Sequence, residues 1–511
     1  MRLIKNYFIV MLCVLMLIAS ANLYVSATPE TITDTVSASV WDGVYPDTDQ
    51  ETAFSGGDGS EADPYMLSSA TDVALLANNV DAGTDYAGKY FRLTCDLDMN
   101  NKEWHGIGGG KNDNTVYAFK GCFDGENHVI YNLKLEDIKY NGFFGHVGDG
   151  AVIKNIGIAS GNIAYTNTRR SAALIGFVKG SCTVENCFNR ADISFVYDSS
   201  AVDQNNAKPE CRVGALIGTS MSGSDNTDGI KVIGCYNTGN IEITVTCALE
   251  NTVGGILGYA GISGGGTTIT DCYSSGNITV TTDRSSNSNI HDESIGGILG
   301  VNAWSTTNIN NCKYSGDIDV VYTASGYTAY SGAVVGGQRA NKLTISGGEY
   351  FCNIEQAYGK ANSASDVSST AVKVSSAIPL ALTYRYFMSA GEEIPFANNG
   401  YQTGAGKIRF VSELCGDVGD YMEAGIEVEI SYGGKKVIKV LRSDSVYTSL
   451  LEGSTPAYPA SGAYFVACGI TDVPVGEEIT FVFTPFAIPT ASNADICYGA
   501  ASSTTVIIPV Q

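Results

Sequence analysis

The chain has 511 residues, a formal net charge of −23 and 30 Lys and Arg against 53 Asp and Glu. Neutralising phosphates takes clustered cations, so this balance argues against nucleic acid and anionic membranes as partners. An acidic surface chiefly keeps a protein soluble.

Residues 1–27 open with Arg2 and Lys5, continue through an apolar run over 7–19 and reach Val25-Ser26-Ala27. Positive start, short apolar core and small-residue exit predict a cleaved secretory leader, hence a secreted or cell-surface location. No later stretch is long and apolar enough to span a bilayer. Residues 28–50 are polar and threonine-rich, a predicted spacer. A loop at 55–60 and the segment 72–80 follow, with Val73, Leu75, Leu76 and Val80 spaced for a short amphipathic helix. Such a helix would cap the open sheet edge of a repeat array. Strand-like 90–97 comes next, and 119–135 reads as the first regular coil.

From there three phrases recur. The first is Gly254-Gly255-Ile256-Leu257-Gly258, with counterparts starting at 172, 214, 296 and 332. The second is Ile269-Thr270-Asp271-Cys272, with counterparts ending at Cys187, Cys235 and Cys312. The third is Gly276-Asn277-Ile278, with counterparts ending at Ile193, Ile241 and Ile318. A period of 36 to 42 residues means a solenoid, a propeller or an array. Short runs of Ile, Val and Thr bounded by Gly, Asn and Asp predict brief strands. Asn186, Gly234, Asp271 and Asn311 suit a left-handed bend, which would turn Ile269 and Cys272 both inward although they lie three apart. One repeat is therefore expected to be one coil of a parallel β-helix with three strands. Connections that vary from few residues to many, with no recurring aromatic blade signature, weigh against a propeller. Seven or eight coils at ~4.8 Å would make a rod of about 35 Å.

Phe123-Asp124-Gly125, Asn132-Leu133, Gly142-Phe143-Phe144-Gly145 and the Gly-Gly-Ile-Leu-Gly phrases resemble the GLUG-motif repeats of bacterial extracellular proteins, over roughly 41–355. Such repeats also lie beside the catalytic domain of some immunoglobulin-A-cleaving metallopeptidases. The resemblance implies a scaffold rather than a chemistry. The chain departs from those peptidases: His105, His128, His146 and His291 are the mature histidines, and none stands in a His-Glu-x-x-His arrangement.

Residues 356–379 read as a linker. Seven strand-like runs between 382 and 510 predict a β-sandwich over 380–511 and resemble an accessory module of secreted Gram-positive proteins. The expected fold class is all-β: a right-handed parallel β-helix over 51–355 with a short N-terminal capping helix, then the β-sandwich.

Chemistry-bearing residues are sparse. Cys187, Cys235, Cys272 and Cys312 should stack as an inward column of free thiols, because parallel side chains make poor disulfide partners. Cys95, Cys122, Cys182 and Cys211 leave room for one bridge. Asp96, Asp98 and Asp124, with Glu126, form the best carboxylate group. Paired acids suit glycoside hydrolysis or calcium binding, while turn solvation is the more economical reading. Asp58, Glu61 and Asp63 lack the ligand order of an EF-hand. Tyr197, Asp203, Arg212, Arg284, His291, Asp292 and Tyr327 fall in or beside the variable connections, where binding tends to reside. Trp104, Trp304 and several tyrosines suit stacking on sugar rings or plain packing. The expectation is a non-catalytic adhesion or glycan-contact scaffold without a cofactor, calcium being the candidate ion, with glycans or host and matrix proteins as partners. A polysaccharide lyase or hydrolase of β-helix type and a structural spacer are the alternatives.

Overall fold

The computed structural model describes residues 38–374, apart from 47–53, 110–116, 127, 137–139, 167–169, 198–209, 224–227, 246–249, 283–292 and 323–328, together with eight strands between 380 and 507. From Ser39 to Lys373 the strands form five parallel sheets of ten, ten, seven, seven and six strands. Each strand pairs with its counterpart one repeat away, so Cys182–Glu185 pairs with Ile230–Ile233 and Ile193–Tyr197 with Ile241–Val245. A propeller blade would close its pairing within one unit, and this chain does not.

A regular coil carries five strands, not the expected three. In one turn these are Cys182–Glu185, Phe188–Asn189, Ile193–Tyr197, Glu210–Gly214 and Ile217–Met221. Phe188–Asn189, just past the left-handed bend, is one extra strand; the other comes from the Gly-Ala-Leu-Ile-Gly phrase, in which Ala215 and Leu216 form a bend between two strands. Its central Leu216 and Ile217 are fully buried. The coil count also exceeds the expected seven or eight. Ten stacked strands at about 4.8 Å per step span about 43 Å.

The stack overruns both expected boundaries. Within the predicted spacer, Ser39–Val40 pairs with Leu97–Asp98. Within the predicted linker, Tyr358–Ala361, Val367–Ser369 and Val372–Lys373 each add a strand to a sheet. Strands of two to four residues leave little periodicity to read, and pairing with a preformed edge is what orders them.

The interior is built of columns. Ile153, Val184, Val232, Ile269, Ile309 and Ile345 occupy one inward register position and are at most 2 % exposed. After this strand the chain turns through a left-handed residue, with φ of 54° at Asn155, 51° at Asn186, 61° at Gly234, 51° at Asp271 and 50° at Asn311. The bend brings Cys187, Cys235, Cys272 and Cys312 into the core, and Ile269 and Cys272 do both point inward.

The predicted helix spans Ala70–Asp81, with Asp72 N–H donating to the Ser69 side chain at its start. Val73, Leu76 and Val80 are fully buried in the same core as the first coils, where Trp41 and Trp104 meet edge to face at 5.2 Å. Among the described residues no helix is long and apolar enough to cross a membrane. The C-terminal strands are antiparallel: Leu380–Met388, Ile408–Cys415 and Ala463–Cys468 form one sheet, and Lys435–Arg442, Tyr421–Tyr432, Glu478–Pro489, Cys497–Tyr498 and Ser502–Ile507 another.

Candidate functional site

The carboxylates near the start of the solenoid are joined into a network that ties coil to coil. Asp96 Oδ1 lies 3.0 Å from His128 Nδ1 and accepts the Val129 N–H at 3.0 Å. Asp98 Oδ1 accepts from Asn100 N–H at 2.8 Å and from Asn132 Nδ2 at 2.9 Å. Asp124 accepts from Glu126 N–H and Asn155 Nδ2 through one oxygen and meets Lys154 Nζ at 2.8 Å through the other. Burial would lower the Lys154 ammonium, but the hydrogen bond and charge of Asp124 hold it above its ordinary value. Glu126 pairs with Arg92 at 2.7 Å. Among the described residues no group of three His, Cys, Asp or Glu is placed to hold a metal ion.

Of the residues singled out in the variable connections, Asp203, Arg284, His291, Asp292 and Tyr327 lie outside the described residues. The other two are not solvated loop residues. Tyr197 is 2 % exposed and ends a strand with its ring beside Phe195. Arg212 sits inside Glu210–Gly214, 6 % exposed, with its guanidinium over the Tyr259 ring. Both corrections have one cause: each strand runs further toward the loop than the alternation of apolar residues suggests.

Arg212 belongs to a seam. The strands before and after the buried bend lie against each other, glycine to backbone: a side-chain carbon at Gly258 would stand 2.6 Å from the Val213 carbonyl, and one at Gly300 2.8 Å from Val253 N. Further out the seam is filled by rings and cations. Tyr140 stacks on Phe177 at 4.7 Å, Arg170 lies over Phe177, and Lys360 lies over Tyr330. Glu210 bridges Arg170 and Arg212. The bareness of the first phrase thus has a packing reason, since its glycines face backbone rather than solvent.

Among the described residues the cysteines are thiols, Cys95, Cys122, Cys182 and Cys211 included. In the column, Cys187 N–H donates to Cys235 Sγ at 3.4 Å, and Cys272 Sγ donates to the Val232 carbonyl one coil back. Burial drives the thiols of Cys187 and Cys272 up and that of Cys182 to about 12. High values and burial make these groups inert packing.

One aromatic group stands apart. Trp41 and Trp104 are fully buried, whereas Trp304 is 59 % exposed. It occupies the corner between Leu299–Asn302 and Thr307–Asn310. The same corner one coil back is Ile262-Ser263-Gly264-Gly265-Gly266, whose one bulky side chain, Ile262, is buried in the core. The backbone beneath is fixed: Trp304 N–H donates to the Ala260 carbonyl at 3.3 Å, and Asn341 Nδ2 donates to the Trp304 carbonyl. Buried Asn302 reaches the Ala340 and Lys342 carbonyls at 3.5 and 3.4 Å and accepts from Thr307 Oγ1 at 3.1 Å. Ser305 and Thr267 hydroxyls meet at 2.8 Å. The result is a solvent-facing ring on a stiff corner, suited to stacking on a flat apolar face.

No family model matches this chain, and no solved structure matches it. Over 193 residues it is 26 % identical to Halomucin of Haloquadratum walsbyi, a stretch covering 36 % of this chain and 2 % of that protein. Over 133 residues it is 25 % identical to a protein of Evansella cellulosilytica described as "Putative Gly-rich membrane protein", covering 25 % of this chain and 14 % of the relative. The chain therefore matches only a small part of either relative's length.

Sequence reasoning placed Trp304 among the sugar-stacking candidates but had no means of ranking it above Trp104. It missed Asn302 and Asn341 altogether. The Gly264-Gly265-Gly266 run two-score residues earlier, at the equivalent corner, was the available signal.

Proposed function

We propose that this chain is a secreted, bacterial-type surface or matrix protein in which a right-handed β-helix of GLUG-type coils, followed by a β-sandwich module, acts as a non-catalytic scaffold for adhesion through glycan contact. The observation that carries the reading is the division of labour among its reactive groups. Asp96, Asp98 and Asp124, the acids best suited to hydrolysis, are engaged in holding successive coils together, while an indole on a stiff corner faces solvent. A lytic enzyme needs acids within reach of a substrate, and a scaffold needs them where they order the backbone. The partial likeness to Halomucin and to a membrane protein accords with a location at the cell exterior.

A glycan-array screen of the full chain with and without calcium, run beside a reducing-sugar release assay on acidic polysaccharides, tests this. Binding without release is the expected result. Release would mean an enzyme, and neither binding nor release would leave a spacer.

A further inference from the structure

Resting on the glycan-contact reading, we infer that the Trp304 corner is a subsite for a uronic-acid residue of an acidic polysaccharide, its pyranose ring on the indole and its carboxylate on Lys342. Three observations converge. Trp304 is open to solvent on a corner already ordered by Ala260, Asn302 and Asn341, so that little side-chain or loop entropy is lost on binding. The preceding corner ends in three glycines, and its Ile262 is buried, which leaves the ring approachable from that side. Cations also lie alongside: residues 294–316 and 320–348 contain no Asp or Glu, and Arg339 and exposed Lys342 occupy the corner of the next coil, with Asp366 on the corner after that.

Those features select the ligand class. A pyranose presents axial C–H groups that an indole face accepts, and it is flat enough to lie across neighbouring coils. A neutral sugar would use the ring alone. A uronate adds a carboxylate that an exposed ammonium attracts. Asn341 ties the two corners together through its hydrogen bond to the Trp304 carbonyl.

Tryptophan emission of the full chain provides the readout, because Trp41 and Trp104 are sealed in the core and Trp304 is not. The probes are an oligogalacturonate and the neutral cellohexaose, each titrated into wild type, Trp304→Ala and Lys342→Gln at physiological salt. A saturable emission change is expected with oligogalacturonate at about tenfold lower concentration than with cellohexaose, a ratio matching one charge-assisted contact. Trp304→Ala should abolish the response to both, and Lys342→Gln should bring the two probes to near parity. Equal responses of the wild type to both probes, or an unchanged preference in Lys342→Gln, would overturn the assignment. Electrophoresis through polygalacturonate gels separates this failure from that of the broader reading. Retardation of wild type and Trp304→Ala alike would place glycan contact elsewhere on the chain and remove it from this corner. A wild type retarded by neither acidic nor neutral polysaccharide would end both.

Discussion

Arg212 holds its guanidinium 3.5 Å from the centre of the Tyr259 ring, which belongs to the next coil. The contact is desolvated, and Glu210 completes it from the side. Replacing Arg212 by Ala removes the cation–π contact and leaves Glu210 with one cation fewer. The expected cost is about 3 kcal/mol, read as a lower denaturant midpoint.

Gly258 tests the seam itself. A methyl group there would stand 2.6 Å from both the Gly218 and Val213 carbonyls, closer than side-chain carbons approach backbone oxygen. Gly258→Ala should therefore force the two strands apart and cost about 3 kcal/mol or more, with loss of near-ultraviolet dichroism. A melting midpoint equal to wild type would show that the glycine column is not a packing requirement.

Outside the core, one polar column joins five coils. Asp192, Asn240, Asn277 and Asp317 each accept, through a side-chain oxygen, the backbone N–H of the next member, ending at Asn353. Asn277→Ala should expose the Asp317 amide, costing about 1 kcal/mol and speeding its hydrogen exchange about fivefold. Asn277→Asp should behave as wild type, because aspartate already serves at 192 and 317.

Calcium should leave the melting midpoint unchanged at millimolar concentration. Both Asp124 oxygens are committed, to Asn155 and Glu126 on one side and Lys154 on the other. A rise of several degrees would mean that these acids regroup around the ion.

Alkaline stability follows from the buried thiols. Burial raises Cys182 from 9.0 to about 12. The folded chain thus holds a proton that the unfolded chain releases, so its contribution is full below pH 9 and lost as pH rises from 9 to about 12. Cys182→Ala should flatten that part of a denaturation-versus-pH curve. An unchanged slope would assign the alkaline loss to other groups, such as Tyr45, whose hydroxyl burial also drives up.

What was legible in the residues was the arithmetic of repetition. A period near 40, an apolar position three before each Cys and a left-handed residue between them are local facts, and they suffice for a parallel stack with an inward thiol column and a capping helix. The five-strand coil was not legible, because a bend such as Ala215-Leu216 and a buried strand share one composition; only the opposing backbone distinguishes them. The short strands at 39–40 and 358–373 escaped for a related reason, as an edge that already exists orders residues with no pattern of their own.

The candidate site divides the same way. Residue identity alone established that Trp304 lies in an acid-free stretch and that Arg212 carries a charge. Tertiary structure decided that Arg212 is sealed under Tyr259 while Trp304 faces water, because exposure depends on what the neighbouring coil places alongside: an aromatic ring in the first case, three glycines in the second.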